Sequence, residues 1–493
     1  MTKPVILAID QGTSSTKALL VDQNLVPLQS SSIAISISSP KPGWVQQDAF
    51  EIYASVEQVI KELCSFVTAE PELEIIGVAL TNQRESAIAW YRDSGLPIGP
   101  MLGWQDRRTE NRLADFDEKQ KRLIREITGL ALDPMFSALK FAWLLDQNSE
   151  NRELASRGQI LLGTVDSYIQ YRLTGEHVIE VGNASRTQLL DIKTGSWSAE
   201  LCEIFDVPVA ALPKVVFSDR ESAEIGSGPL TGAKIRATLA DSHAALYAHR
   251  LQRPAEVVAK ATFGTGSSIM AAGKFEFDAE LVNQAGMVST VAWATKDEGL
   301  VLGVEGNIIS SGSTMVWLSE FLGREVSELA ELAMAAADSP SELNLVPAFS
   351  GLGAPWWRSG VSGQITGLTL SSGAAEIARA GFEAIVLQIE DVIAALENAI
   401  GVSLDVVRVD GGPTSNRWLM QLHADLSQRQ ISRTDIAELS AVGVAALAWQ
   451  SSWQNSPTLE STIFDPKLEP KVATDRRSSW AAAVSQVINS AKQ

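Results

Sequence analysis

Twice in this chain, about 250 residues apart, an apolar run enters a turn of small and hydroxyl residues and leaves as a second apolar run. The first copy is Val5-Ile6-Leu7-Ala8-Ile9, then Asp10-Gln11-Gly12-Thr13-Ser14-Ser15-Thr16-Lys17, then Ala18-Leu19-Leu20-Val21. The second is Thr262-Phe263-Gly264-Thr265-Gly266-Ser267-Ser268, leading into Ile269-Met270-Ala271-Ala272. Such turns between apolar runs predict hairpins. A repeat at this period predicts two related domains, each presenting its loop to a cleft between them. The length agrees, since 493 residues exceed one ordinary core. His249-Arg250-Leu251-Gln252-Arg253-Pro254 is the predicted junction, because Pro254 breaks the preceding helical pattern. The expected domains are therefore 1–249 and 250–493.

Charge and composition remove several function classes. With 59 acidic against 40 basic residues the net charge is -19, which repels phosphate backbones and anionic lipid heads. No nucleic-acid partner and no membrane insertion are expected. Cys64 and Cys202 are too few for a disulfide framework or a zinc site and read as idle thiols in a reducing cytosol. The N-terminal apolar run ends at Asp10, too short for a signal peptide. The low-polarity stretch Ala441 to Trp449 is about half a membrane span. A cytoplasmic location follows as the expectation.

Elsewhere, Phe382, Ile385, Ile389, Val392 and Leu396 step by three and four and predict one apolar helix face. A C-terminal helix is predicted from about Ser478 to Lys492.

Three groups of residues could carry chemistry. The Gly-Thr turns let a backbone approach phosphate oxygens and offer amides and hydroxyls to them, although small polar turns are also ordinary connectors. A Walker A sequence is absent. Beside the turns stand isolated acids. Asp10 closes the first strand, where a carboxylate could hold magnesium against phosphates. Asp241 stands where a strand-like run becomes helix-like, in Thr238-Leu239-Ala240-Asp241-Ser242-His243. It reads as a helix N-cap, as the acceptor of a substrate hydroxyl's proton, or as both; His243 is a rival base better suited to packing. The third group is Thr81-Asn82-Gln83-Arg84-Glu85 with Gly103-Trp104-Gln105-Asp106-Arg107-Arg108-Thr109. Adjacent Arg and Glu can bracket a polyhydroxylated ligand, or form surface ion pairs.

Taken in order, these segments resemble the FGGY carbohydrate kinases, and within them the glycerol kinase pattern. Asp10 to Ser15 is similar to the family's first phosphate loop, and Gly43-Trp44-Val45-Gln46-Gln47-Asp48 to a glycerol kinase segment. Thr81 to Glu85 and Trp104 to Thr109 match that pattern almost letter for letter. Met135 to Gln147 resembles the first family signature, and Gly363 to Glu383 the second. Asn183 to Thr187, Asp410-Gly411-Gly412 with Asn416, and Phe464-Asp465-Pro466 with Trp480 match as well.

The resemblance implies an α/β fold of two ribonuclease-H-like, actin/hexokinase-type ATPase domains about a deep interdomain cleft. It implies ATP and Mg2+ as cofactors and a small polyol or sugar as partner, with homodimers or homotetramers common among relatives. Asp241 takes the general-base position, and Asp10 with Asp241 the metal positions. Thr13, Ser14, Ser15, Lys17, Thr265, Gly266, Gly312, Gly411, Gly412 and Asn416 fall at nucleotide positions, Lys17 replacing an Arg. Arg84, Glu85, Trp104, Met135, Asp241, Ser242 and Ser268 fall at substrate positions. Three of these depart from the glycerol kinase pattern: Met135 replaces a Tyr, Ser242 a Gln and Ser268 a Phe. Glycerol is the leading acceptor. The roomier pocket makes a tetritol, pentitol, ribulose or xylulose the alternative. A non-enzymatic actin-like ATP-binding protein is the alternative of another class. In Gly228-Pro229-Leu230-Thr231-Gly232-Ala233-Lys234, Gly232 stands where some bacterial relatives carry an Arg that binds fructose 1,6-bisphosphate, so little inhibition by that sugar is expected.

Overall fold

The computed structural model describes residues 2–251, 256–336, 342–450, 457 and 459–490. The chain divides into two units. Unit 1 comprises Met1–Pro254, Ser289–Leu302 and Glu438–Leu459; unit 2 comprises Ala255–Val288, Gly303–Ala437 and Glu460–Gln493. The expected split at 249/250 differs from this in two ways. Residues 252–254 of the expected junction lie outside the described residues. And within 250–493 the segments Ser289–Leu302 and Glu438–Leu459 fall in unit 1.

In unit 1, β1 (Lys3–Gln11) and β2 (Ser15–Asp22) form the first predicted hairpin, and β3 (Pro27–Ala34) extends it. After helix α1 (Ala49–Ala69), β4 (Leu73–Asn82) joins β1 in parallel, and β5 (Ile235–Ala240) joins β4 in parallel. The strand order is β5-β4-β1-β2-β3. Val5 to Ile9 are all fully buried. A central strand covered on both faces needs such an unbroken apolar run. Ile52, Val56, Val59 and Leu63 of α1 pack with Val5, Leu7 and Ile9.

The other covering is the low-polarity stretch, which forms the helix Leu439–Trp449 and is buried all round. It lies against α2 (Asp241–Arg250). The approach is close enough that a Cβ on Gly443 would fall 1.9 Å from the Ala244 carbonyl oxygen. A helix apolar on every face belongs in a core, which is why this late segment completes the first unit.

Unit 2 repeats the plan. Strands β6 (Val258–Phe263) and β7 (Ser267–Ala272) are the second predicted hairpin. β8 (Gly299–Ile308) pairs with β7 through Gly303–Ile308. Helices α3 (Gly312–Leu322) and α4 (Ala374–Ile400) follow. β9 (Val406–Asp410) then adds in parallel to β6, and after α5 (Arg417–Ser427), β10 (Gln430–Thr434) adds in parallel to β9. The order β8-β7-β6-β9-β10 reproduces β3-β2-β1-β4-β5 with the same strand directions. The Phe382 to Leu396 stripe is buried in α4 as expected.

The C-terminal helix starts earlier than predicted, at Pro470, and runs to Ser490. Proline suits a first helical turn because its missing N–H has no intrahelical partner there. The extra turns carry Arg476, which reaches the Leu343 carbonyl at 2.7 Å. Lys492 lies outside the described residues.

Candidate active site

The first turn of unit 1 is closed by Gly12 N–H donating to Ser15 O at 3.0 Å. Asp10 and Lys17 face each other in register across the hairpin. Lys17 Nζ donates to both oxygens of Glu438 at 3.0 Å. Asp10 retains some surface exposure but is ringed by protein. Its carboxyl is pushed up to about 7 by burial first, then by the Asp241 and Glu438 carboxylates, with Lys17 opposing. This excess of negative charge is what a divalent cation relieves, and magnesium takes one or two carboxylates plus phosphate oxygens. The donor set at Asp10 and Asp241 therefore fits the ion.

Asp241 is the first residue of α2, and Ala240 occupies the cap position without a side-chain bond. The N-cap reading is thus corrected: Asp241 sits in the first turn, where the helix dipole favours an acid. Its Oδ1 accepts from Ser242 N–H at 2.6 Å and lies 3.8 Å from Arg84 Nε. The same Arg84 Nε is 3.8 Å from Glu85 Oε1, which also accepts from Arg186 Nε at 2.6 Å. Glu85 is held at φ 56°, a left-handed conformation that is uncommon for a residue with a side chain. Arg84, Glu85 and Asp241 thus form one charged row in unit 1.

Trp104 adjoins the phosphate turn. Its indole Nε1 donates to Thr13 Oγ1 at 3.2 Å while the residue stays 42% exposed. Gln47 Nε2 holds the Thr13 carbonyl at 2.9 Å, and Gln83 Nε2 holds Gln47 Oε1 at 3.0 Å. The loop after Trp104 is braced by the fully buried Asp106–Arg108 pair, with the Arg108 guanidinium over the Trp44 ring at 4.0 Å and the Trp143 ring at 4.5 Å. Met135 is half-buried, its N–H donating to Asp133 Oδ1 at 2.8 Å. Ser14 is exposed and Ser15 half-buried in the turn. His243 is buried against Thr290 Oγ1, at 3.2 Å from its Nε2, which fits packing.

In unit 2 the second turn mirrors the first, with Gly264 N–H donating to Gly266 O at 2.9 Å. The start of α3 closes on it: Gly312 N–H donates to Gly264 O at 2.9 Å and Ser313 N–H to Thr265 O at 3.0 Å. A Cβ on Gly312 would fall 2.4 Å from Gly264 O, and one on Gly266 2.4 Å from Ile308 O. Gly411, at φ 98°, has the Phe263 carbonyl oxygen 2.1 Å from where its Cβ would be. Thr265, Gly266, Gly312, Gly411 and the adjoining Gly412 are therefore brought together around one turn. Asn416 has a structural task as well, its Oδ1 capping α5 by accepting from Trp418 and Leu419 N–H at 3.0 and 3.1 Å. Ser268 lies in unit 2 and donates to the buried Glu305 at 3.1 Å, whereas the other expected substrate residues are in unit 1.

Sequence reasoning missed Glu438, Arg186 and Gln47 as parts of the site, and gave Gln83 no task of its own within the polar cluster Thr81 to Glu85. Glu438 had one signal, an acid immediately before an apolar helix. Gln47 and Arg186 stood inside segments matched by resemblance, without an assigned task.

Comparison with known proteins finds relatives along nearly the whole chain. Residues 5–235 match the profile of the FGGY family of carbohydrate kinases, N-terminal domain, and residues 259–451 its C-terminal domain. An apulose kinase of Pectobacterium atrosepticum is 36% identical over 501 residues, covering 99% of this chain and 99% of that protein. A glycerol kinase of Citrifermentans bemidjiense is 37% identical over 483 residues, covering 96% of this chain and 95% of its own. The crystal structure of Plasmodium falciparum glycerol kinase with ADP superposes with a TM-score of 0.91 at 27% identity, over 99% of this chain and 98% of that one.

Proposed function

The chain belongs to the FGGY family of carbohydrate kinases, ATP-dependent phosphotransferases that act on alcohol groups, and on that premise we propose that it phosphorylates a primary hydroxyl of a small polyol or sugar, with Asp241 as general base. Family membership also disposes of the non-enzymatic, actin-like alternative. The observation that carries the proposal is the row Arg84, Glu85 and Asp241, with each carboxylate 3.8 Å from the same guanidinium nitrogen. Arg84 donates to acceptor oxygens and Glu85 accepts from acceptor hydroxyls. Asp241 takes the proton of the attacking hydroxyl as its oxygen bonds to the γ-phosphorus of ATP and the bond to ADP breaks.

Lys17 and the amides of the turn around Thr13, Ser14 and Ser15 offset charge on the transferring phosphoryl group. Thr265, Gly266, Gly312, Gly411, Gly412 and Asn416 supply the nucleotide contacts of unit 2. Mg2+ held by Asp10 and Asp241 would neutralise phosphate charge when bound. Trp104 lays its exposed ring against the carbon chain of the acceptor.

Glycerol is the leading acceptor, because Arg84, Glu85 and Trp104 are those of the glycerol kinase pattern. A second reading, a four- or five-carbon polyol or ketose, is favoured by Met135, Ser242 and Ser268. Met135 brings a flexible thioether, and two small serines stand where bulk is usual. The apulose kinase among the relatives supports it. The test is ATP with a panel of glycerol, tetritols, pentitols, ribulose, xylulose and apulose, read by product mass. Glycerol 3-phosphate formed with the highest kcat/KM supports the first reading. A higher value for a longer acceptor replaces it with the second, and no phosphorylated product from any acceptor overturns both.

A further inference from the structure

Lys140 is fully buried on the helix Ser137–Leu145. Its ammonium has three donors, and three backbone carbonyls take them: Glu85 O at 2.8 Å, Gly103 O at 2.6 Å and Met135 O at 2.6 Å. The carbonyls come from three separate stretches of unit 1: the exit of β4, the loop before Trp104, and the approach to the helix. Each belongs to, or adjoins, a residue read above as binding the acceptor.

A buried ammonium facing neutral carbonyls is a costly way to hold a core, which apolar side chains fill without a desolvation penalty. Burial pushes the Lys140 pKa down to about 7, with the Glu85, Asp106 and Asp133 carboxylates opposing and Arg108 reinforcing the fall. The same helix uses a second tie, Ser137 Oγ donating to Ser86 O at 2.8 Å. Glu85, at φ 56°, is the residue that most needs its backbone fixed.

We propose that Lys140 is a positioning residue for the phosphate acceptor, its ammonium fixing the spacing of Glu85, Trp104 and Met135 and thereby the length of polyol that fits. The inference rests on the acceptor-site reading given above. It deepens that reading by assigning selectivity to a residue that touches no substrate.

The experiment compares wild type with Lys140→Met, which keeps length without donors, and Lys140→Gln, which keeps an amide donor. Each is assayed with glycerol, with a pentitol and with ATP varied separately, after circular dichroism has verified the fold. Lys140→Met is expected to raise the acceptor KM about tenfold or more and to change the glycerol-to-pentitol ratio of kcat/KM about threefold or more. The KM for ATP is expected to stay within about twofold, and Lys140→Gln to fall between wild type and Lys140→Met. If Lys140→Met does not fold, Lys140→Gln decides by the same split. Acceptor KM and selectivity equal to wild type, or an ATP KM that rises in step with the acceptor's, overturns the role of Lys140. A wild-type chain that phosphorylates no acceptor overturns the kinase reading and Lys140 with it, whereas wild-type turnover with unaltered variants overturns Lys140 alone.

Discussion

Lys17 and Glu438 stand 421 positions apart in the chain and meet in one unit, the Lys17 ammonium donating to both Glu438 oxygens at 3.0 Å. Glu438 therefore fixes the cation that stands opposite Asp10 across the first hairpin. Lys17→Ala is expected to lower kcat/KM for ATP about 100-fold, the usual cost of deleting one donor to developing charge. Glu438→Ala is expected to cost about tenfold, and the double variant no more than Lys17→Ala, because Glu438 acts through Lys17. Losses that multiply in a kinetic double-mutant cycle would show the two working independently.

Gly443 gives a stability prediction. Its Cβ would meet Ala244 O at 1.9 Å, and Ala244 belongs to the helix that Asp241 begins. The contact is with backbone, so neither helix can yield by rotating a side chain. Gly443→Ala is expected to destabilise unit 1 by about 1–3 kcal/mol, lowering its melting temperature by several degrees. An unchanged thermal midpoint would mean that the two helices do not pack this closely.

Much of the fold is legible in the sequence. The hairpins around Gly12 and Gly264 carried the duplication, because a strand buried on both faces must be apolar without a break. The order in which Arg84, Glu85 and Trp104 follow a buried strand carried the proposal for the substrate side. What stayed hidden depends on long-range approach. No local pattern shows that Leu439–Trp449 completes the first unit, since a helix apolar on all faces can cover any core. Lys140 lies inside the segment that resembles the first family signature but has no task legible there, because its three partners are backbone carbonyls, which carry no sequence signature. Asp241 read as an N-cap because capping and first-turn acids differ by a single position.

Burial pushes the Glu180 carboxyl up to about 7 and that of Asp166 up to about 6, against hydrogen bonds from Ser218 and Thr164 respectively. Between about pH 4, where these groups titrate in the unfolded chain, and the folded values, the native state binds more protons. Their stabilising contribution is thus full below about pH 4 and lost as pH rises through 6 to 7, at about 1.4 kcal/mol per pH unit for each group. Glu180→Gln is expected to flatten the fall in thermal midpoint between pH 5 and 7. A variant whose curve runs parallel to wild type would contradict this assignment.

Regulation by sugar bisphosphate is expected to be slight. Gly232 sits at φ 86° with no heavy atom within 4 Å of where its Cβ would be, so the position offers no cation and a backbone unsuited to an Arg. Fructose 1,6-bisphosphate at millimolar concentration should leave the initial rate within about 20% of the control, given that Gly232 supplies no guanidinium for its phosphates. Dose-dependent inhibition would place a bisphosphate site elsewhere.

The most direct measurement is phosphoryl transfer by Asp241→Asn, with ATP and acceptor saturating and the fold verified by circular dichroism. Asn keeps the shape and an oxygen for Ser242 N–H but cannot accept a hydroxyl proton. A fall in kcat of about 10²–10⁴-fold, with acceptor KM little changed, is the expected result. A kcat close to that of wild type would contradict the assignment of residue 241 as the base.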